Sequence, residues 1–432
     1  MRFMPSYAET QDYLYSLRNR GAKLGVERMQ AFNHALGRPD QHFPIIHVAG
    51  TNGKGSTCAM LEAMYRAAGY KTGLFTSPHL IRLGERVQVN RQPLTNDQII
   101  VYTERLRQTA ESLAVYDPEA HPTFFEFMTA MAFLHFAEEQ VGVAIIETGL
   151  GGRLDSTNII VPRVSVITSV SLDHQEQLGD TLAKIATEKA GILKPGVNVV
   201  LGQMPEEAEK AIQATAAKRR CCITKVTDVF EEDIDNYPQT NLTGDHQRVN
   251  AGIAMLAMCH AGADLAVPEK VAFEALQQVD WAGRWQKISL HDGRTLILDA
   301  THNPEGCTAL EKNLDRLIAE TGRKPVILCG TLGETRARAL MDVVTERAQD
   351  IWLLVPNQPR ACSHGQLRAF TVGKFTGGLH DASVEALFPE PGTCHAGGEG
   401  DVIVVTGSIY LLGEVLTRLE EQSSEAELQD KL

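Results

Sequence analysis

Three observations predict an α/β fold in two parts. Short β-branched runs alternate with longer helical patterns, the runs fall into two series separated around "DWAGRWQKI", and each run ends in a polar cluster rich in turn-forming residues. At 432 residues the chain exceeds what one ordinary core holds. The predicted domains are residues 1–285, larger and mostly parallel in its sheet, and residues 286–432, smaller and again α/β.

In the first series "PIIHVAG", "VGVAIIETG", "RVSVITSV" and "VNVVLG" are apolar at their centres and end in Gly, Thr, Ser or Val, as strands buried on both faces do. Between the first two, "STCAMLEAMYRAAG" predicts a helix that places Cys58, Leu61, Tyr65 and Ala68 on one face and stops at Gly69. The second series reads "TLILDAT", "KPVILCG", "IWLLVP" and "DVIVVTG", separated by helix-length segments such as "PEGCTALEKNLDRLIAETG". The tail "EEQSSEAELQDKL" is charged and expected to fray.

Composition excludes several classes. Apolar content of 43% and charged content of 22% are those of a soluble globular chain. A net charge of -13 argues against bound nucleic acid, because affinity for a polyanion comes from clustered Lys and Arg. The start lacks a secretory apolar core and no stretch approaches a membrane span, so a cytoplasmic protein without a membrane partner is expected. Eight cysteines without a C-x-x-C pair read as reduced structural thiols.

Ligands in open α/β sheets sit beyond the carboxyl ends of strands, and here the polar clusters follow the apolar runs. The expectation is one cleft between the domains. "HVAGTNGKGST" supplies Gly50, Gly53 and Gly55, Lys54, and a helix opening near Ser56, which is what a phosphate cradle needs. It fails the strict pattern G-x-x-x-x-G-K-[ST], since Gly55 follows Lys54 and Val48 stands where the first glycine belongs.

Other candidates carry two readings each. Glu147 ends an apolar strand and is either a magnesium ligand or a carboxylate paired with Arg153. His174, after Asp173, either satisfies local hydrogen bonds or is an unusual magnesium ligand. Glu188 and Lys189, in "ATEKAGILKPG", read alone as a helix end with a solvated charge pair. Asp299, His302 and Asn303, in "LILDATHNPEG", are either turn and N-cap chemistry or a contact with nucleotide or substrate.

Taken in order, "HVAGTNGKGST", "TSPHL" with "ERVQVN", "TFFEFMTAMAF", "ETGLGGRLDSTN", "SLDHQEQLG", "ATEKAGILK", "GDHQRVNAGIA", "WAGRWQ", "DATHNP" and "VVTGSIYLLGEV" resemble the folylpolyglutamate synthase family, including its bifunctional dihydrofolate synthase members, within the Mur ligase superfamily. The resemblance covers nearly the whole chain. It implies a P-loop NTPase-like first domain, a Rossmann-like second domain, and an ATP-dependent ligase that joins L-glutamate to dihydropteroate or reduced folates through an acyl phosphate. It also implies ATP and Mg2+, with a second Mg2+ or K+ as a further expectation, and a monomer.

By motif, the resemblance assigns Gly50, Thr51, Asn52, Gly53, Lys54, Gly55 and Ser56 to the ATP phosphates, and Asn250, Arg284 and Asp299 to the nucleotide. Ser77, Glu147 and His174 resemble the metal ligands, with Lys189 matching a lysine that is carbamylated in the superfamily. His302 and Ser408 resemble positions that hold the incoming glutamate, and Lys54, Lys189 and His302 would take part in catalysis. The pterin part would meet Leu24, Gly25, Thr123, Phe124, Phe125, Glu126, Arg153, Leu154 and Asp155. Two departures stand out. The family's common D-G-A-H-N-P reads "DATHNP", with Ala300 and Thr301 in the two small positions, and "CGTLGETRARAL" replaces a D-K-D, leaving Arg336 and Arg338 as candidates for the missing lysine's role. The competing readings are a Mur-type ligase acting on a cell-wall precursor and a P-loop ATPase that does not ligate.

Overall fold

The computed structural model describes residues 4–20, 25–115 and 117–420. Its two compact units each carry a sheet. The first contains the described residues up to His79, Gly84–Asn241 and His246–Val279. The second contains the described residues from Asp280 onward, together with Leu80–Leu83 and Leu242–Asp245. The division at Val279 and Asp280 coincides with the start of "DWAGRWQKI".

In the first unit the strands are β1 (Ile45–Ala49), β2 (Thr72–Phe75), β3 (Val87–Val89), β4 (Gln92–Pro93), β5 (Val143–Glu147), β6 (Val164–Ile167), β7 (Asn198–Leu201) and β8 (Ile223–Lys225). Their order is β4-β3-β2-β5-β1-β6-β7-β8. Pairing is parallel from β2 to β8, and antiparallel where β3 joins β2 and β4. β1, β5 and β6 are buried along their whole length, so their sequences are mostly apolar rather than alternating, with His47, Glu147 and Ser165 as the buried polar exceptions. Because β5, β1 and β6 are parallel neighbours, the loops that follow them emerge together at one end of the sheet.

The helix after β1 spans Lys54–Ala67 and is buried from Ser56 to Tyr65. It packs against β1, β2 and β5 and also against the helix Glu269–Leu276, so the single apolar face expected from Cys58, Leu61 and Tyr65 understates its burial. The helix Phe124–Glu138 is likewise enclosed, with Phe127, Phe133 and Phe136 completely buried.

The second unit's strands are β9 (Arg284–Ser289), β10 (Thr295–Asp299), β11 (Val326–Cys329), β12 (Asp350–Leu353), β13 (Gly378–Asp381) and β14 (Val402–Thr406), in the order β13-β12-β11-β14-β10-β9. Only β9 runs antiparallel to its neighbour. Successive side chains go to opposite faces: Leu296, Leu298, Ile403 and Val405 join one core, Ile297 and Val404 the other. Ile81 is part of the first of these cores, and Arg82 pairs with Glu420 at 3.1 Å. The eight cysteines are free thiols. Among the described residues no helix is long and apolar enough to cross a membrane.

Candidate active site

The loop after β1 is tied down from behind by the segment after β6. Thr51 N–H donates to the Ser169 carbonyl (2.9 Å), Asn52 N–H to Ser169 Oγ (3.0 Å), and Thr168 Oγ1 donates to the Asn52 carbonyl (2.6 Å). Gly50 and Gly53 are required by this packing. A Cβ on Gly50 would lie 1.9 Å from Thr168 Oγ1; one on Gly53, whose φ is +83°, would lie 2.4 Å from Asn250 Oδ1. The helix opens at Lys54, directly behind the loop, so the N–H groups of its first turn lack intrahelical acceptors and point toward the loop's mouth. Backbone N–H groups gathered at a helix start in this way are able to receive an anion.

Two lysines converge on it. Lys54 Nζ donates to the carbonyls of Gly50 (3.1 Å) and Thr51 (3.0 Å). Lys189, last residue of the helix Leu182–Lys189, is 3% exposed and its Nζ donates to the Gly50 carbonyl at 2.7 Å. The solvated Glu188–Lys189 pair expected from sequence is therefore not formed. Glu188 instead pairs with Arg153 at 2.9 Å, because the bend after Lys189 brings Gly191 against the Arg153 backbone. That pairing also withdraws Arg153 from Glu147, whose Oε2 accepts the Ser77 N–H at 3.1 Å. Ser77 and Glu147 thus place a hydroxyl residue and a carboxylate together, hard oxygen donors of the kind Mg2+ prefers. His174 stands on an exposed left-handed turn, and among the described residues no group of three or more His, Cys, Asp or Glu forms a metal cluster.

The segments assigned to the pterin end divide by role. Thr123 and Glu126 form a capping box, and Glu126 Oε2 also pairs with Arg28 Nε at 2.7 Å, so this carboxylate orders the start of the helix Phe124–Glu138. The helix presents Phe124 to the guanidinium groups of Arg18 (4.5 Å) and Arg86 (5.4 Å), and half-buried Phe125 to Phe75 and the backbone at Gly149. Asp155 is buried and accepts four bonds: Gly149 N–H and Leu150 N–H on Oδ2, Thr157 N–H and Thr157 Oγ1–H on Oδ1. Burial raises its pKa above the usual carboxylate value while those donors oppose the rise. Arg153 is exposed and Leu154 half-buried beside it. Gly25 lies in the described chain at φ +147°; Leu24 lies outside the described residues.

In the second unit the residues also gather at one sheet end. Asp299 closes β10, directly beside Thr406 of β14 and opposite Arg284 of β9. Ser408 caps the helix Ile409–Leu419 by accepting the Tyr410 N–H, and Asn303 caps Pro304–Thr321 through the Gly306 N–H (2.9 Å). His302 Nδ1 donates to the Ala300 carbonyl (2.8 Å), which fixes the proton on that nitrogen. The departure at Thr301 has a visible consequence: its Oγ1 donates to Asp299 Oδ1 at 2.5 Å, orienting the carboxylate from within its own turn. Arg338, one candidate for the missing lysine's role, lies over the Phe370 ring at 5.1 Å.

Sequence reasoning missed Thr168 and Ser169, which grip the phosphate loop, and His47 and Thr157, which stand behind Asp155. A hydroxyl pair at the end of a strand adjoining the loop's strand was the available signal for the first two. For His47 the signal was a titratable side chain inside an apolar run; for Thr157 there was none.

Residues 48–255 match the model of the Mur ligase middle domain and residues 283–409 that of the Mur ligase, glutamate ligase domain. The chain is a Mur-type, ATP-dependent ligase. A folylpolyglutamate synthase of Lacticaseibacillus casei is 33% identical over 95% of this chain and 98% of its own length. A dihydrofolate synthase/folylpolyglutamate synthase of Bacillus subtilis is 30% identical over 96% and 99%. The solved folylpolyglutamate synthase of Thermotoga maritima superposes with a TM-score of 0.84 at 28% identity, covering 98% of both chains. E. coli FolC in complex with DHPP and ADP superposes at 0.78 and 28%, covering 95% of this chain and 98% of that one. The chain belongs to the folylpolyglutamate synthase family.

Proposed function

We propose that the chain joins L-glutamate to dihydropteroate and/or the γ-carboxyl of reduced folates, using ATP. The carrying observation is the backbone cradle at Gly50–Ser56 with Lys54 and buried Lys189 directed onto it, in a chain similar from end to end to folate ligases. A carboxylate is a poor electrophile. Attack of its oxygen on the γ-phosphorus expels ADP and makes an acyl phosphate; attack of the glutamate amine on the acyl carbon then expels phosphate and forms the amide.

Gly50, Thr51, Asn52, Gly53, Gly55 and Ser56 would hold the phosphates, and Lys54 would turn from the loop carbonyls to the outer phosphate charge. Asn250 backs the loop at Gly53, while Arg284 and Asp299 would meet the remainder of the nucleotide. Mg2+ bound with ATP would neutralise charge gathering on the transferred phosphoryl, with Ser77, Glu147 and His174 as ligands and Lys189 as another if its amine carries CO2. The acceptor would lie against Phe125 and the 149–155 segment, with Thr123 and Glu126 fixing the helix that presents the ring. His302 and Ser408 would receive the glutamate. Cytoplasmic location and a monomeric state complete the reading.

The test is product analysis by mass spectrometry after incubation with ATP, glutamate and either dihydropteroate or tetrahydrofolate. A ligase releases phosphate only with both co-substrates, and Lys54→Ala should abolish that release with the fold retained. Glutamate-independent hydrolysis, or turnover by the variant, would sink the reading.

A further inference from the structure

His47 lies at the centre of β1, opposite Ile146 of β5 and Ser165 of β6, with no exposed surface. Its Nε2 is 2.8 Å from Thr157 Oγ1, which is itself 2.5 Å from Asp155 Oδ1; its Nδ1 is buried with no partner among the described residues. The protons in this chain can be assigned. Asp155 accepts four bonds and acts as the carboxylate, so the Thr157 hydroxyl proton points to it. Thr157 Oγ1 then needs a donor on its other side, and among the described residues only an Nε2–H of His47 supplies one. The alternative places the proton on Nδ1, where a buried donor would face nothing, a costlier orphan than a bare acceptor. Burial, with the charge of Lys194 adding to it, holds the imidazole neutral by lowering its pKa to about 3.

We propose that His47 is a positioning residue for the acceptor subsite: it donates to Thr157, which orients Asp155, which clamps the backbone N–H groups of Gly149 and Leu150. The proposal rests on the reading that the acceptor lies against Phe125 and the 149–155 segment. The Phe125 ring touches the position a Gly149 side chain would take, 2.4 Å from its Cβ, so a shift of this turn moves the wall of the subsite. The phosphate loop is held by a different set, Thr168, Ser169 and Asn250, so the relay acts on one substrate and leaves the other's binding alone.

His47→Leu keeps apolar bulk and removes the donor; His47→Gln keeps a donor at similar reach. Loss of one buried hydrogen bond at the turn should raise the acceptor KM about tenfold in His47→Leu, leave the ATP KM within about twofold, and be reversed in His47→Gln. In the wild type, long-range proton–nitrogen correlation spectra should show Nε2 protonated and Nδ1 bare between about pH 5.5 and 8.5. Phe125→Ala serves as the reference for the subsite. If it raises the acceptor KM while His47→Leu does not, or if His47→Leu weakens ATP and acceptor alike, the relay is overturned. An acceptor KM unmoved by Phe125→Ala overturns the subsite reading and the relay with it. Should His47→Leu fail to fold, a proton on Nδ1 in the wild type, or an acceptor KM in His47→Gln raised about tenfold, overturns the relay.

Discussion

At Gly53 the loop proposed to hold phosphate has no room for a methyl group. The residue combines φ +83° with an Asn250 oxygen 2.4 Å from where a Cβ would stand. Gly53→Ala therefore carries two penalties, about 1–2 kcal/mol of left-handed strain and a collision. Their separation is testable. Asn250→Ala in the same chain removes the collision and leaves the strain, so the double variant should recover part of the thermal stability and the ATP KM should remain raised. Full recovery of both in the double variant would mean that backbone conformation at Gly53 is not what shapes the loop. Much of this was legible: three glycines, a lysine and a helix after an apolar run announce an anion site. What grips the loop was not, because Ser169 and Asn250 come from segments more than a hundred residues away and only the parallel pairing of β1 with β6 brings the first of them near.

Elements show the same split between what local pattern fixes and what packing decides. Buried central strands advertise themselves as apolar runs, whereas β8 ("ITK") and β13 ("GLHD") are edge strands with half-buried or exposed residues and leave no such trace. The helix Leu182–Lys189 reads as a solvated end because its lysine is charged; in the fold the Gly50 carbonyl accepts from that buried lysine. The Thr123–Glu126 box raises a sharper question, since motif resemblance assigned both residues to the substrate while the geometry gives them a cap and an Arg28 partner. Thr123→Ala should lower stability by about 1 kcal/mol. Glu126→Gln, which removes the charge facing the half-buried Arg28 guanidinium, should lower it by about 1–3 kcal/mol. Thermal melts read both. A Glu126→Gln protein with an unchanged melt and a raised acceptor KM would return this carboxylate to the substrate.

Across the whole molecule, one buried and one half-buried titrating group in separate units push stability in opposite directions over one pH range. In the first unit the His47 pKa is lowered from 6.5 to about 3 by burial. Its contribution is present in full above about 6.5 and is lost as pH falls, because the unfolded chain then binds a proton that the folded one refuses. The loss reaches about 2 kcal/mol by pH 5. In the second unit burial raises the Glu414 pKa from 4.5 to about 7, with the Asn357 N–H at 2.7 Å opposing and Glu385 adding to it. Its contribution has the opposite sign, present in full below about 4.5 and lost as pH rises through 7. Solvent at this half-buried site reduces its size. Asp155, raised by burial in the first unit, works against His47, so single variants are needed to isolate each slope. Between pH 5 and 6.5 the melting temperature of wild type relative to His47→Gln should climb with pH, and that of wild type relative to Glu414→Gln should fall. Calorimetry at several pH values measures both differences whether the units melt together or apart. Two differences of the same sign would show that at least one of these groups is exposed to water or differently partnered in the folded chain.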